Sequence, residues 1–227
     1  MPTLSVPANV EKYENIYAKG YNKKYPNLDL VRLEAWYFKK QPGHVLDYGC
    51  GTGTNLIHLL GCGYTGVGAD AAQGAVEVSR QNLAQHPELA GRGTFLRVSP
   101  EAETLPFSDA TFDYVVCMSV LSLLATRDRI ERLVAEFHRV LKPGGKMIID
   151  INGPEADFAK RGTFVDDDTF EYILRPGDSS PLRCYCPKNK EVFGALFDAF
   201  VIDDLGHVSF QYVGNDSLEF IACVSKP

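Results

Sequence analysis

One stretch decides the fold of this chain: Val45-Leu46-Asp47-Tyr48-Gly49-Cys50-Gly51-Thr52-Gly53. It begins as a short apolar run and leads into a turn with three alternating glycines. Because glycine has no Cβ, the backbone at Gly49, Gly51 and Gly53 can adopt unusual φ/ψ values, and a ligand can lie directly on it. Residues 54–60 then have the apolar spacing of a helix. A strand, a glycine turn and a helix in this order are typical of the ligand site in an open α/β sheet.

The spacing of these glycines indicates the kind of ligand. A dinucleotide site has the pattern G-x-G-x-x-G and holds a pyrophosphate at the helix N-terminus, whereas residues 49–53 read G-x-G-x-G. Asp47 precedes the turn, and its carboxylate would repel a pyrophosphate but suits a ligand with an ammonium and a sulfonium. In these residues the chain resembles the class I S-adenosylmethionine-dependent methyltransferases, whose first motif has this form. The alternative is a glycine turn that binds nothing.

The resemblance implies that the cofactor is S-adenosylmethionine, with S-adenosylhomocysteine as its product. Asp70 ends the second predicted strand, where an acid in a doubly wound sheet faces the ribose of a nucleoside ligand. The alternative for Asp70 is a cap on the next helix. By the same resemblance, residues 101–107 hold the adenine, with Glu101 on its exocyclic amine and the Ala102 amide on a ring nitrogen. The predicted cofactor-binding residues are Asp47, Gly49, Cys50, Gly51, Gly53, Asp70, Ala71, Glu101, Ala102, Cys117, Met118 and Tyr21.

Two further segments complete the resemblance. Cys117 and Met118 end the fourth predicted strand and, by the family's pattern, offer a backbone carbonyl and a side wall to the methionine half of the cofactor. The sequence Lys142-Pro143-Gly144-Gly145 matches the family's turn before the fifth strand, and we interpret it as structural. The motifs therefore follow one another in the family's order between residues 45 and 150.

Strand and helix patterns alternate through this region, which predicts a parallel sheet covered on both faces. Besides the first strand, we expect strands over residues 64–70, 94–98, 112–118 and 146–151, with helices over 73–85 and 126–141. Farther along, a helix near 188–198 and strands at 199–204 and 218–224 are expected. The predicted fold class is α/β, a doubly wound, mostly parallel seven-stranded sheet with an N-terminal helical lid. The resemblance implies that the last strand is antiparallel.

The predicted organisation is a single methyltransferase domain over residues 1–227. Within it we expect an N-terminal helical lid at 1–41, a cofactor-binding core at 42–151, and a C-terminal helix with antiparallel strands at 188–227. Residues 152–187 contain four prolines and an acidic run at 166–168. We interpret this segment as a substrate-binding insertion with at most short helices.

Tyr13, Tyr17, Tyr21 and Tyr25 recur every four residues in the predicted lid. At that spacing their rings share one helical face, provided that Gly20 does not break the helix. Phenol rings over a sulfonium gain cation–π attraction of about 1 kcal/mol or more. We predict that Tyr21 contacts the cofactor, and that Tyr17, Tyr25 and Asn152 contact the substrate. The alternative is that these tyrosines only pack the helix onto the sheet.

A general base is missing from its usual place. Many small-molecule members of the family read Val-Leu-Glu-His after the fourth strand, but this chain has Val120-Leu121-Ser122-Leu123. His207, expected in the loop after the sixth strand, is the best remaining histidine and is the predicted catalytic residue. A neutral amine acceptor would need no base at all.

Composition narrows the class of partner. The formal net charge is −6 and no basic run appears, so a nucleic-acid substrate is not expected. There is no apolar stretch of about 18 residues and no basic and apolar leader of a signal peptide, which predicts a cytoplasmic protein without a membrane role. Six cysteines lie without a C-x-x-C motif, so we expect reduced thiols and no metal site. The oligomeric state is predicted as monomer or homodimer.

These observations favour an enzyme that transfers a methyl group to the oxygen or nitrogen of a small-molecule acceptor. Within the family, a protein or RNA methyltransferase is the alternative. Outside it, the alternatives are a non-catalytic S-adenosylmethionine-binding protein and a synthase that uses a decarboxylated cofactor. Nothing in the chain names the acceptor.

Overall fold

A computed structural model describes residues 6–174, 178, 180–212 and 215–227. The strands in these residues are β1 (His44–Tyr48), β2 (Thr65–Asp70), β3 (Gly93–Arg97), β4 (Phe112–Cys117), β5 (Leu141–Asn152), β6 (Thr163–Asp166), β7 (Thr169–Tyr172), β8 (Leu182–Tyr185), β9 (Val201–Tyr212) and β10 (Asn215–Ser225). The α-helices are α1 (Val6–Ala18), α2 (Leu28–Leu33), α3 (Thr54–Gly61), α4 (Gln73–Ala84), α5 (Arg127–Val140), α6 (Asp157–Lys160) and α7 (Lys190–Gly194).

Seven strands form the main sheet, in the order β3-β2-β1-β4-β5-β10-β9. The pairs from β3 to β5 are parallel, and β10 is antiparallel to both of its neighbours. This confirms the predicted mostly parallel sheet and its antiparallel last strand. Parallel strands that are buried on both faces need helices on each side. Two core clusters show which helices pack against the sheet. One contains Ile130 and Phe137 of α5 together with Phe193 of α7, and the other contains Leu56 and Leu59 of α3.

The parallel strands β1 and β4 are neighbours in the middle of the sheet. From β1 the strand order continues through β2 and β3 on one side, and from β4 it continues through β5 on the other. In an open α/β sheet, the crevice beyond the carboxyl ends of such strands is the ligand site. In the register of these strands, Asp47 lies opposite Val116 of β4 and Gly68 of β2. The glycine turn therefore begins at this crevice.

The segment 152–187 differs from its prediction, because it forms a small sheet as well as the short helix α6. Strands β6, β7 and β8 pair antiparallel in that order. The acidic run supplies the first hairpin turn, with Asp167 and Asp168 at φ values of 39° and 57°. Aspartate tolerates this left-handed region better than most residues, and a tight hairpin requires it. Pro154, Pro181 and Pro187 lie outside the three strands, so they do not interrupt the pairing.

The C-terminal region also differs in extent. Strands β9 and β10 are longer than expected and form an antiparallel pair whose register shifts between Cys223 and Val224. The predicted turn at residues 142–145 lies within an irregular start of β5, where Gly144 has a φ of 75°.

Among the described residues, no helix is both long and apolar enough to cross a membrane.

Candidate functional site

A cavity of about 350 Å³ opens at the crevice between β1 and β4. Its floor is the glycine turn together with Asp70, Ala71 and Ala72. One side is formed by residues 118–120 after β4, and α1 covers the cavity with Tyr13 and Tyr17. The cavity therefore brings together residues from β1, β2, β4 and α1 that are far apart in the sequence.

The glycine turn has the backbone conformation that its sequence predicts. Gly49, Gly51 and Gly53 have φ values of 70°, 56° and 80°, a region that residues with a Cβ rarely adopt. The Gly49 amide donates a 2.7 Å hydrogen bond to the carbonyl of Ala69 at the end of β2. A Cβ on Gly51 would lie 3.1 Å from Tyr17 Oη. The turn is thus tied to β2, and its open side faces the lid.

Asp47 is buried beside the glycine turn and does not itself line the cavity. Its side chain is 1% exposed, and neither carboxylate oxygen has a hydrogen-bond partner among the described residues. Burial raises the pKa of Asp47 to about 7, while the nearby Leu56 amide opposes the rise and the charge of Asp70 adds to it. A buried carboxylate without a partner is costly. It can be expected in a site whose ligand supplies positive charge.

Asp70 bridges two parts of the floor. Its Oδ2 accepts a 2.9 Å hydrogen bond from the Gly51 amide, and its Oδ1 accepts a 2.8 Å hydrogen bond from the Ala72 amide at the start of α4. Burial raises the pKa of Asp70, and these amide donors oppose the rise. Each oxygen keeps a second lone pair for a ligand. These bonds hold the glycine turn and the residue before α4, but Asp70 does not cap the amides of the helix itself. The ribose role stays a prediction.

Asp70→Ala tests the ribose role. If both ribose hydroxyls donate to this carboxylate, the variant should bind S-adenosylhomocysteine more weakly by about 2–4 kcal/mol, since charge-assisted bonds are lost. Isothermal titration measures the change, and urea unfolding of the free protein measures the loss of the two backbone bonds. Asp128→Ala, an exposed acid in the first turn of α5, is the matched control. Reduced stability with an unchanged dissociation constant would assign Asp70 to the turn alone.

The predicted adenine contacts do not reach the cavity. Glu101 and Ala102 are exposed, and from this segment it is Pro100 that lines the cavity. The Ala102 amide donates to the Ser99 carbonyl at 3.2 Å, and the Glu101 amide donates to Ser99 Oγ at 3.3 Å. A local turn around the serine uses these amides. Pro100 therefore replaces Glu101 and Ala102 as the residue of this segment that faces the cavity.

The end of β4 contributes Met118 and Ser119 to the lining, whereas Cys117 is fully buried behind them. Ser119 has a φ of 63°, and its amide donates a 2.5 Å hydrogen bond to Asp150 Oδ1 on β5. Burial raises the pKa of Asp150, and the charge of Glu219 adds to this. Asp150 is not among the predicted site residues, although an acid inside the apolar run of residues 147–151 is a recognisable signal.

The lid differs from the predicted four-tyrosine face. Helix α1 ends at Ala18, and Gly20 has a φ of 87°, so the chain turns away from the helix. Tyr17 and Tyr21 still line the cavity and meet edge to face with ring centroids 5.9 Å apart. Tyr25 lies beyond the helix end and is 77% exposed. Tyr25 does not line the cavity, and its contact with the substrate stays a prediction.

Two side chains of α1 fasten it over the cavity. The Glu14 carboxylate accepts hydrogen bonds from the amides of Gln73 and Gly74, at 2.6 and 2.9 Å, at the start of α4. Asn9 Nδ2 donates to the carbonyls of Leu123 and Arg183, both at 2.8 Å. The sequence analysis missed both residues, because their partners lie between 59 and 174 positions away along the chain.

Two other predicted residues lie outside the cavity. His207 belongs to β9 rather than to a loop, pairs with Phe220, and lines a separate surface groove with Arg32 and Trp36. Strand β9 is three positions from β4, a distance of roughly 14 Å at ordinary strand spacing. Asn152 contacts Ser122 Oγ at 3.3 Å and does not line the cavity. The structure therefore corrects the assignment of His207 as a base at the cofactor.

Comparison with known proteins identifies the class. Residues 45–145 match the family model described as a methyltransferase domain. The chain is 32% identical over 202 residues to a demethylmenaquinone methyltransferase of Symbiobacterium thermophilum, covering 79% of this chain and 78% of that protein. The chain therefore belongs to the class I S-adenosylmethionine-dependent methyltransferases, and S-adenosylmethionine is its cofactor.

Two further relatives differ in substrate. The mouse protein named probable tRNA methyltransferase 9B is 31% identical over 155 residues, which is 63% of this chain but only 31% of that protein. A Burkholderia thailandensis 1,6-didemethyltoxoflavin-N1-methyltransferase, solved with its acceptor and S-adenosylhomocysteine, superposes with a TM-score of 0.65. It is 20% identical, with 88% of this chain and 77% of that chain covered. These relatives agree on the fold and leave the acceptor open.

The described residues fit the cofactor. Gly51 leaves open backbone where a Cβ would project toward the lid, and a nucleoside can lie on such a turn. Asp47 presents an unpartnered buried carboxylate beside this turn, which a ligand with positive charge can compensate. In the described part of the chain, no group of three or more His, Cys, Asp or Glu residues is arranged to hold a metal ion.

Proposed function

We propose that this enzyme transfers the methyl group of S-adenosylmethionine to an oxygen or nitrogen of a small-molecule acceptor. One observation carries the proposal: the glycine turn and the space beside it form a single cavity of about 350 Å³ under α1. A covered cavity of this size suits a small ligand next to the cofactor. A polymer would need an open groove that leads to the same point.

The chain's residues have distinct parts in this reaction. When bound, S-adenosylmethionine supplies a methyl carbon made electrophilic by a sulfonium. The glycine turn and Asp70 would hold the nucleoside, and Asp47 would balance the positive charge. Tyr17 and Tyr21 would cover the site and exclude water. Most of the rate would come from alignment, because effective molarities for oriented groups reach about 10⁵ M or more.

The relatives support a small-molecule acceptor without naming this one. The Symbiobacterium relative is named for demethylmenaquinone, and the Burkholderia structure contains a small heterocyclic acceptor. The tRNA methyltransferase relative supports the alternative, a polynucleotide acceptor. Against that alternative, residues 152–227 carry 7 Lys/Arg and 13 Asp/Glu, a balance that repels phosphates. A non-catalytic cofactor-binding protein is the second alternative.

Two measurements test the proposal. Isothermal titration with S-adenosylmethionine and S-adenosylhomocysteine establishes cofactor binding. A methyl-transfer screen with labelled S-adenosylmethionine then compares pools of small molecules, bulk tRNA and peptides. We expect label in the small-molecule pools. Label in tRNA or peptide alone would establish the corresponding alternative, and binding without transfer to any pool would indicate a non-catalytic protein.

The fastening of α1 predicts how the lid responds to ligand. Tyr17 and Tyr21 line the cavity, so a ligand there should reduce local opening of α1. We expect hydrogen exchange in residues 10–22 to slow when S-adenosylhomocysteine is added, with α5 unchanged as an internal reference. If the exchange rates are equal with and without ligand, α1 is a fixed part of the fold and does not act as a lid. Glu14→Gln, which weakens the contact with α4, should speed exchange in the free protein.

A further inference from the structure

The part of the cavity away from the glycine turn is largely apolar, and its polar residue Asn9 is engaged with the carbonyls of Leu123 and Arg183. Val10 and Tyr13 of α1 face Leu123 and Leu124, which follow β4. Behind them, Tyr13 and Leu123 pack against a buried cluster formed by Leu182, Cys184 and Cys186 of the inserted sheet. We call the space between Val10, Tyr13, Leu123 and Leu124 the acceptor chamber. A ligand there would meet hydrocarbon and an aromatic ring.

None of the four residues that define the acceptor chamber has a charged side chain. Among the described residues that line the whole cavity, Asp70 has the carboxyl group and Lys23 has the amino group. Asp70 is bonded to the Gly51 amide, and the Lys23 carbonyl accepts a hydrogen bond from Thr52. Asp70 therefore belongs to the glycine-turn side, whereas the charge of Lys23 also acts on Asp150 of β5 and Glu219 of β10. A charged acceptor in the chamber would lack a counter-charge, and burying such a charge is costly.

The acceptor chamber also has no proton acceptor among its described residues. Its lining contains no histidine, and its tyrosine cannot act as a base at neutral pH, because burial raises the pKa of Tyr13. The same holds for Tyr17 at the edge of the chamber. The nearest carboxylate in the lining, Asp70, is bonded to two backbone amides.

We infer that the acceptor is an uncharged, largely apolar molecule that is methylated on nitrogen, at a weakly basic arylamine or heteroaromatic ring, without prior removal of a proton. This inference rests on the proposed function and deepens it. In the transfer, the nitrogen lone pair forms the bond to the methyl carbon. The carbon–sulfur bond breaks, and its electron pair stays on sulfur. Where the nitrogen carries a hydrogen, that proton leaves to water afterwards. A hydroxyl would keep its proton in this chamber and remain a poor nucleophile.

Matched acceptor pairs test the inference in the full-length enzyme. Anilines and aza-heterocycles are compared with phenols, benzyl alcohols and benzoates of the same ring, with labelled S-adenosylmethionine and product identification by mass spectrometry. We expect transfer to nitrogen, at least about tenfold faster than to oxygen. The kcat should stay level from pH 6 to 8.5. His207→Gln should leave kcat and its pH profile within about twofold of the parent, since His207 lies outside the cavity.

A gain-of-function variant sharpens the test. Leu123 lines the chamber, so Leu123→His places a base of pKa near 6.5 beside the acceptor. Transfer to a phenol or alcohol should then appear and rise with pH through about 6.5, whereas Leu123→Asn, polar but not basic, should not show it. Oxygen-methylated product from the parent enzyme, or a parental kcat that falls with a pKa near 6.5, would overturn the inference and leave the proposed function intact. Transfer to tRNA or peptide alone would instead overturn the proposed function.

Discussion

Gly51→Val is expected to abolish measurable binding of S-adenosylhomocysteine, with a dissociation constant raised by about 100-fold or more. At a φ of 56° a β-branched side chain is strained, by about 1–3 kcal/mol. Its Cβ would lie 3.1 Å from Tyr17 Oη, and its two methyl groups would occupy the floor on which the cofactor is expected to lie. A 100-fold loss of affinity corresponds to about 2.7 kcal/mol of binding free energy. Blocking the floor of the cavity accounts for this loss while the protein stays folded.

A second glycine provides the control for this experiment. Gly61 lies at the exposed end of α3, its φ is ordinary, and a Cβ there would have nothing within 4 Å. Gly61→Val should therefore keep parental affinity, with at most a small change in stability. Isothermal titration and thermal unfolding of both variants separate binding from folding. If Gly51→Val folds and binds as tightly as the parent, the cofactor does not lie on this turn.

The central fold was predictable because its signals are local. The strand before the glycine turn, the acid at Asp70 and the apolar spacing of α5 each lie within a short window of sequence. Parallel strands also place their carboxyl ends at one edge, so Asp47 and Met118 could be expected near each other. The glycine spacing then distinguished this turn from a dinucleotide site. These features depend on neighbouring residues, which a single sequence displays.

The remaining features depend on distant contacts. Strands β6, β7 and β8 are only four residues each, too short for a clear periodic pattern, and the prolines around them favoured a loop. Asn9 gains its role from partners on two other elements. Position 25 was placed on a helical face because its spacing fits one, but Gly20 allows the chain to leave the helix first. Tertiary packing decided each case, and the sequence pattern contained no sign of it.

His207 shows a different cause of error. It was selected because the usual histidine is absent from residues 120–123 and because a loop was expected after the sixth strand. Instead, β9 continues through this position as the edge of the sheet. The longer strand is stabilised by pairing with β10 along its length. A residue chosen by elimination had no independent support, whereas Asp70 was chosen by its position at a strand end.

The last prediction concerns the buried acid of the glycine motif. The pKa of Asp47 in the folded protein is about 7, against an ordinary value of 3.8. Between these values the unfolded chain has lost the proton and the folded protein still holds it, so stability falls as pH rises from about 4 through 7. Asp47→Asn removes this titration. The free energy of unfolding of the ligand-free variant should depend less on pH in that window. At pH 8 the variant should be more stable than the parent by about 1–3 kcal/mol.

The same substitution should weaken ligand binding, because the carboxylate that offsets the ligand's positive charge is gone. For the parent, S-adenosylmethionine, which has the sulfonium, should bind more tightly as pH rises through about 7, since binding favours the ionised form of Asp47. For Asp47→Asn this pH dependence should disappear, with affinity at pH 8 lower by about tenfold or more. Urea unfolding and isothermal titration at pH 5, 6.5 and 8 measure both effects, with Asp128→Asn as an exposed control. A variant that loses affinity and stability together would make Asp47 a structural residue. If Asp47 serves the ligand and destabilises the free protein, the Asp47→Asn variant should be more stable than the parent and should bind the ligand more weakly.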